Sequence, residues 1–267
     1  MSTTTIERPA ATATPVVREA IPTARLMGVE LQKMFDTRAG FWLITGGAIA
    51  SLVATIATIL FDPHNAMDYG DFASAVGIPL TIVLPIMGIL NVTSEWSQRT
   101  GLSTFTMVPH RGRVIVAKLV TTLFVGAVSI AFALVVGALG NLVGSAIAGI
   151  SPRWDLGVGQ MLLILLADGL GMLMGFTLGV LIRNSAGAIV GYFVYALVLP
   201  GIFGALAAYQ DWFARLQGWI DFQFSSTRLY DAHLTGTDWA HLGVSGLIWL
   251  VIPLLVGLRL TMRSEVK

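Results

Sequence analysis

Asp168 is the residue of this chain whose type fits its neighbourhood least. It stands near the middle of the apolar run 157–182, the one carboxylate so placed. An aspartate at the centre of a membrane-crossing helix costs roughly 2.5–3.5 kcal/mol, so it needs protein or water around it and a partner. Gly171, Gly175 and Gly179 follow it at helical spacing, a small-residue ridge against which another helix can lie close. Asp168 is therefore expected to point into a helix bundle. Two roles stay open: a hydrogen bond to a Ser or Thr of a neighbouring span, or contact with a transported species or proton. Ser51, Thr55 and Thr58 share a helical face with Gly47 in an earlier apolar run and are the expected home of the partner.

A second arrangement is His241 and Ser245, four apart in Ala240-His241-Leu242-Gly243-Val244-Ser245-Gly246. A rhomboid-type intramembrane serine protease is the alternative this suggests. In that class base and nucleophile converge from different helices, whereas here both fall on one. His64, His110 and His233 lie in loops and extend no catalytic pattern. Other chemistries lack their residues. A phosphate loop requires Lys after Gly, and Lys33, Lys118 and Lys267 all follow other residues. No His-Glu-x-x-His occurs, and the chain has no cysteine, which excludes disulfides, iron–sulfur clusters and thiolate zinc sites. The expectation is a chain that is not an enzyme and carries no cofactor. Its net charge of +1 gives no reason to expect nucleic acid.

The elements that must position these residues are membrane spans. Hydrophobic residues make up 55% of the chain, charged ones only 12%, about half the share of a soluble domain. About 20 apolar residues cross a bilayer core. Six runs qualify, near 41–61, 74–92, 114–144, 157–182, 186–208 and 241–262. The predicted fold class is an all-α membrane protein. With the N-terminus inside, Arg8, Arg18, Arg25, Lys33, Arg38, Arg99, Arg111, Arg113, Lys118, Arg183, Arg259, Arg263 and Lys267 face the cytoplasm, and only Arg153, Arg215 and Arg228 face outward. That is the asymmetry of an N-in, C-in protein of the plasma (inner) membrane. Residues 1–21 read as a disordered cytoplasmic tail without a signal peptide, 22–262 as one membrane domain, and 263–267 as a second tail. Within 22–38, opened by Pro22, the residues Met27, Leu31, Met34 and Phe35 form one apolar face, that of an amphipathic helix along the inner surface. In 209–240 the stripe Trp212, Leu216, Trp219 and Ile220, followed by Phe222 and Phe224, suits short helices in the outer leaflet.

The largest inner connection is 93–113, TSEWSQRTGLSTFTMVPHRGR. It is polar, turns at Gly101 and breaks at Pro109. Glu95, Gly101, Pro109, Arg111 and then Lys118 at the head of the third span occur here in an order that resembles the ATP-binding-cassette exporter permeases of the six-helix, type-2 class. The resemblance extends to the amphipathic helix before span one, the interfacial segment before span six and the basic tail Arg259–Lys267. It implies a permease for drugs, lipids or other amphiphiles, paired with a second copy or a paralogue. It also implies a separate ATPase subunit holding ATP and Mg. Coupling to that subunit would fall to Glu95, Arg99, Gly101, Pro109, Arg111, Arg113 and Lys118.

Span two is expected to be interrupted at Pro79 and Pro85, and span five at Pro200–Gly201 beyond Tyr192 and Tyr195. The family runs its translocation path along these two spans, which makes Pro79, Pro85, Tyr192 and Tyr195 pathway candidates. The main alternative is an ion-driven secondary transporter using Asp168, though six spans without clear internal repetition depart from the usual duplicated design.

Overall fold

The computed structural model describes residues 22–61, 67–97, 111–231 and 233–263. Among these the chain is helical without strands. Helix α1 is Thr23–Asp36, α2 Arg38–Phe61, α3 Tyr69–Ser97, α4 Arg111–Ala148 and α5 Val158–Ile182. Helix α6 is Ser185–Tyr209. Two short helices, α7 (Asp211–Ile220) and α8 (Phe222–Thr227), and a 3-10 turn Arg228–Tyr230 precede α9, Gly236–Met262. Six helices, α2 to α6 and α9, are long and apolar enough to span a membrane. The termini 1–21 and 264–267 lie outside the described residues.

Local chemistry sets the joints. Arg183 takes a left-handed conformation, φ 55°, and its N–H closes α5 on the Gly179 carbonyl at 2.9 Å. Asn184 then caps α6, its side chain accepting from the Gly187 N–H at 2.9 Å. Thr235 and Asp238 form a reciprocal capping box at the head of α9. Because each span reverses the chain, α1, the end of α3, the start of α4 and the α5–α6 turn share one end of the bundle. The α7–α8 segment sits at the other. Helix α4 has 38 residues, about 57 Å at 1.5 Å rise per residue, so its first turns project past the hydrocarbon and pack beside α1.

Helix α3 is the hub, touching α2, α4, α5 and α6. Its closest neighbour is α5, where the glycine ridge meets a proline. A Cβ on Gly175 would stand 2.8 Å from Pro85 Cα, and one on Gly179 3.3 Å from Ile89 Cα. Phe72, Val76, Leu84, Ile89, Met172 and Phe176 fill the interior with less than 2% exposure. The outer faces carry Ile78, Phe132, Val190 and Leu197, all more than half exposed and apolar, as lipid contact requires.

The prolines do not break the spans. Helix α3 runs through Pro79 and Pro85 without interruption. A proline lacks the N–H that would serve the carbonyl four residues back, which for Pro85 is that of Thr81. Tyr192 of α6 donates its hydroxyl to that carbonyl at 2.7 Å, so the neighbouring span satisfies the orphan. Around Pro200 the outcome is different again. Helix α6 widens into a π turn, Val194–Val198, and resumes at Leu199. Helix α9 does the same at Leu247–Val251, two residues before Pro253. In both, the carbonyl denied a donor, that of Ala196 or Trp249, lies inside the π turn. Widening also relieves the clash of the ring with that carbonyl.

Candidate functional site

Two buried polar centres occur, one at the α1 end of the bundle and one around Asp168, midway along α5. The first lies at the roots of the 93–113 connection. Lys118 and Glu30 have side chains only 2% exposed, with Nζ 2.5 Å from Oε2. Lys33 binds the other oxygen, Oε1, at 2.7 Å. Lys118 also donates to the Asn91 carbonyl at 3.1 Å, while Asn91 Nδ2 donates to the Lys118 carbonyl at 3.2 Å and to Thr122 Oγ1 at 2.6 Å. Thr93 and Ser185 share a hydrogen bond of 2.8 Å between the ends of α3 and α6. Arg113 reaches Thr23 at 3.2 Å. A buried ion pair holds only when its remaining hydrogen-bonding capacity is met, and here it is. The result is a knot that fastens α1 to α4 and α4 to α3 at the two roots of the connection.

This places Lys118 differently from the sequence expectation. Its ammonium is turned into the bundle, onto Glu30 and the Asn91 carbonyl, the partners that a buried lysine needs. Glu95 and Arg111 lie in the helical ends of α3 and α4, with side chains outside the described residues, as are Arg99, Gly101 and Pro109 altogether. Glu30 and Asn91, the anchors of the knot, were missed. Glu30 had a signal: it falls between Met27 and Met34 on the apolar face of α1. That face differs from expectation in one more way, since Phe35 is 47% exposed while Glu30 and Met34 are buried.

The second centre surrounds Asp168, which is 5% exposed. Its partner is not in span one. Thr55 and Thr58 spend their hydroxyls on Ser51 and Ala54 carbonyls of their own helix, at 2.9 and 3.0 Å, a bond that a hydroxyl on a helix finds without any neighbour. Asp168 Oδ1 instead accepts from the Tyr230 hydroxyl at 3.1 Å, supplied by the 3-10 turn after α8. Gln160 of α5 steadies that turn through the Tyr230 carbonyl at 3.4 Å. Tyr230 is 40% exposed as a residue, but its hydroxyl end is turned inward. Burial first, and then the Asp168 charge, push that phenol above its ordinary value of 10.0, so it serves as a neutral donor.

Between Asp168 and α9 stands an aromatic relay. Tyr192 neighbours Tyr195 at 6.4 Å between ring centroids, and Tyr195 neighbours Trp249 at 5.7 Å. Tyr195 and Trp249 belong to the two π turns. Trp249 Nε1 donates to the Ile220 carbonyl at the end of α7, at 2.7 Å. The α7–α8 segment is itself stapled by Asp221, which caps α8 through the Phe224 N–H at 3.0 Å, and by Ser225, which donates to the Gly218 carbonyl at 2.6 Å. The buried residues are Phe213 and Gly218 in α7 and Phe222 and Ser225 in α8; Trp212 and Leu216 of the expected stripe face outward, 53% and 45% exposed.

The His241–Ser245 arrangement forms no dyad. Ser245 donates to the His241 carbonyl at 2.7 Å, while the His241 ring packs edge-on against Trp219 at 4.5 Å. Compared with known family models and with curated proteins, the chain matches none.

Proposed function

We propose that the chain is the transmembrane permease subunit of an ATP-driven exporter of amphiphiles, working as a dimer with a separate ATPase subunit. Supporting this reading is the ordered series Glu95, Gly101, Pro109, Arg111 on the connection between spans two and three. The observation that carries it furthest is the knot at the two roots of that connection. A push on a loop is lost if its two roots move independently. Here Asn91, Lys118 and Glu30 bind the roots to each other and to α1, so a force on 93–113 moves α1, α3 and α4 together. The basic end of the bundle is the cytoplasmic one in this reading, and the α7–α8 segment faces outward.

The test is co-purification from detergent-solubilised membranes, with the native loop and with Glu95→Ala and Arg111→Ala together. A nucleotide-binding subunit should accompany the native chain and be lost from the variant, while both chains insert equally. Recovery of the chain alone in both cases overturns the proposal and favours ion-driven transport through Asp168. Retention of the subunit by the variant overturns the docking assignment.

A further inference from the structure

Asp168 is under-supplied. A buried carboxylate has two oxygens to satisfy and a charge to balance. Here Tyr230 serves Oδ1, and among the described residues Oδ2 has no hydrogen-bond partner and no Lys, Arg or His pairs with the carboxylate. Arg228, two residues from Tyr230, is turned away onto Asp231 at 3.4 Å and the Phe224 ring at 5.1 Å. A second orphan lies nearby. Tyr195 is 7% exposed, yet its hydroxyl makes no hydrogen bond among the described residues. Buried polar atoms are rarely left so, and each exception needs an explanation.

The walls around these atoms are aromatic. Contacts of Gly179 with Ile89 and of Gly175 with Pro85 set α3 beside α5 in one direction. Thr81 therefore lies level with Gly171, one turn from Asp168, and the Tyr192 hydroxyl sits on its carbonyl. The Asp168 charge acts on Tyr192 as it does on Tyr230. Tyr195 and Trp249 continue the wall along α6 and α9. A metal ion finds too few oxygens, since hard cations take about six or more and the Thr81 carbonyl is already occupied. A proton would neutralise Asp168 but makes no use of the rings. An alkylammonium does both, donating N–H to the carboxylate and drawing on the negative ring faces.

We propose that Asp168, walled by Tyr192, Tyr195, Tyr230 and Trp249, binds the ammonium group of a cationic amphiphile. Tyr230 is the wall that yields: it reaches in from a three-residue turn, whereas the other rings stand on spans. The ammonium takes the place of its hydroxyl on Asp168 when that turn lifts. Export of the cation rests on the permease reading, but binding to the isolated chain does not, so loss of the ATPase partner and loss of this site appear in different experiments.

The test is equilibrium dialysis of the full chain in phosphatidylcholine nanodiscs, with empty discs subtracted. The probes are radiolabelled 4-phenylbutylamine, 4-phenylbutanol and 4-phenylbutyrate, one body with a cationic, neutral or anionic end. The amine should bind at least about tenfold more tightly than the alcohol, the worth of a charge-assisted hydrogen bond, and the acid should not bind. Asp168→Asn should bring the amine down to the alcohol, and Tyr195→Leu should weaken it about fivefold through the lost ring. Trp42→Leu, on the exposed face of α2, should change nothing. Equal binding of amine and alcohol by the native chain overturns the proposal, and that comparison needs no variant to fold. Amine binding that survives Asp168→Asn in a chain that melts like the native one overturns it too.

Discussion

A lysine and a glutamate with side chains 2% exposed hold one another by mutual need. Lys118→Met should cost about 3 kcal/mol or more, because it leaves the buried Glu30 carboxylate with Lys33 alone. Glu30→Leu combined with Lys118→Met removes both charges and should recover most of that loss. Thermal unfolding in detergent reads both, and a double variant no more stable than the single one would refute the pairing. At the second centre, Tyr230→Phe should cost about 1 kcal/mol, the worth of one hydrogen bond, and Asp168→Asn less, since the amide oxygen still accepts. The pH dependence has a definite sign. The folded chain keeps the Tyr230 proton above pH 10, whereas the unfolded chain releases it near the ordinary value of 10.0. The bond therefore stabilises fully below about pH 10 and is lost as pH rises through the folded-state value. Tyr230→Phe should be flatter with pH than the native chain above pH 10. The need of Asp168 for a partner was legible in the sequence, but Tyr230 was not, because the partner comes from a turn 62 residues away rather than from a span.

Six spans were legible because length and hydropathy alone decide them; what happens inside a span was not. Four prolines sit within helices here, yet none ends one. The reason is tertiary. Tyr192 covers the carbonyl that Pro85 leaves free, and π turns absorb Pro200 and Pro253. A sequence shows the missing donor but not the neighbour that replaces it. Small residues give a sharper test of the same contact. Gly175→Ala would bring a Cβ within 2.8 Å of Pro85 Cα, backbone against backbone, and should destabilise by about 1–3 kcal/mol. Gly171→Ala, one turn earlier, meets nothing nearer than 3.9 Å and should be neutral or slightly stabilising, alanine being the better helix former. Equal melting temperatures for the two variants would mean that α3 and α5 do not meet along this ridge.

For the whole molecule the decisive quantity is which end faces the cytoplasm, since docking of a motor requires the basic end to be inside. The argument is one of charge. Loops near the spans keep Lys and Arg on the cytoplasmic side, and Arg25, Lys33, Arg38, Arg113 and Arg183 all belong to the end that holds α1, whereas Arg153, Arg215 and Arg228 belong to the other. The fold sharpens this into an experiment, because the chain has no cysteine of its own. Asn184 is exposed in the turn between α5 and α6, and Tyr209, 85% exposed, ends α6 at the far side. The two positions flank one helix, so a crossing α6 puts them on opposite faces of the membrane. With a membrane-impermeant maleimide on intact cells, Tyr209→Cys should react at once and Asn184→Cys only after permeabilisation. The reverse order would invert the bundle, put the 93–113 connection outside and end any role for a cytoplasmic ATPase. Immediate reaction of both would mean that α6 does not cross the membrane at all.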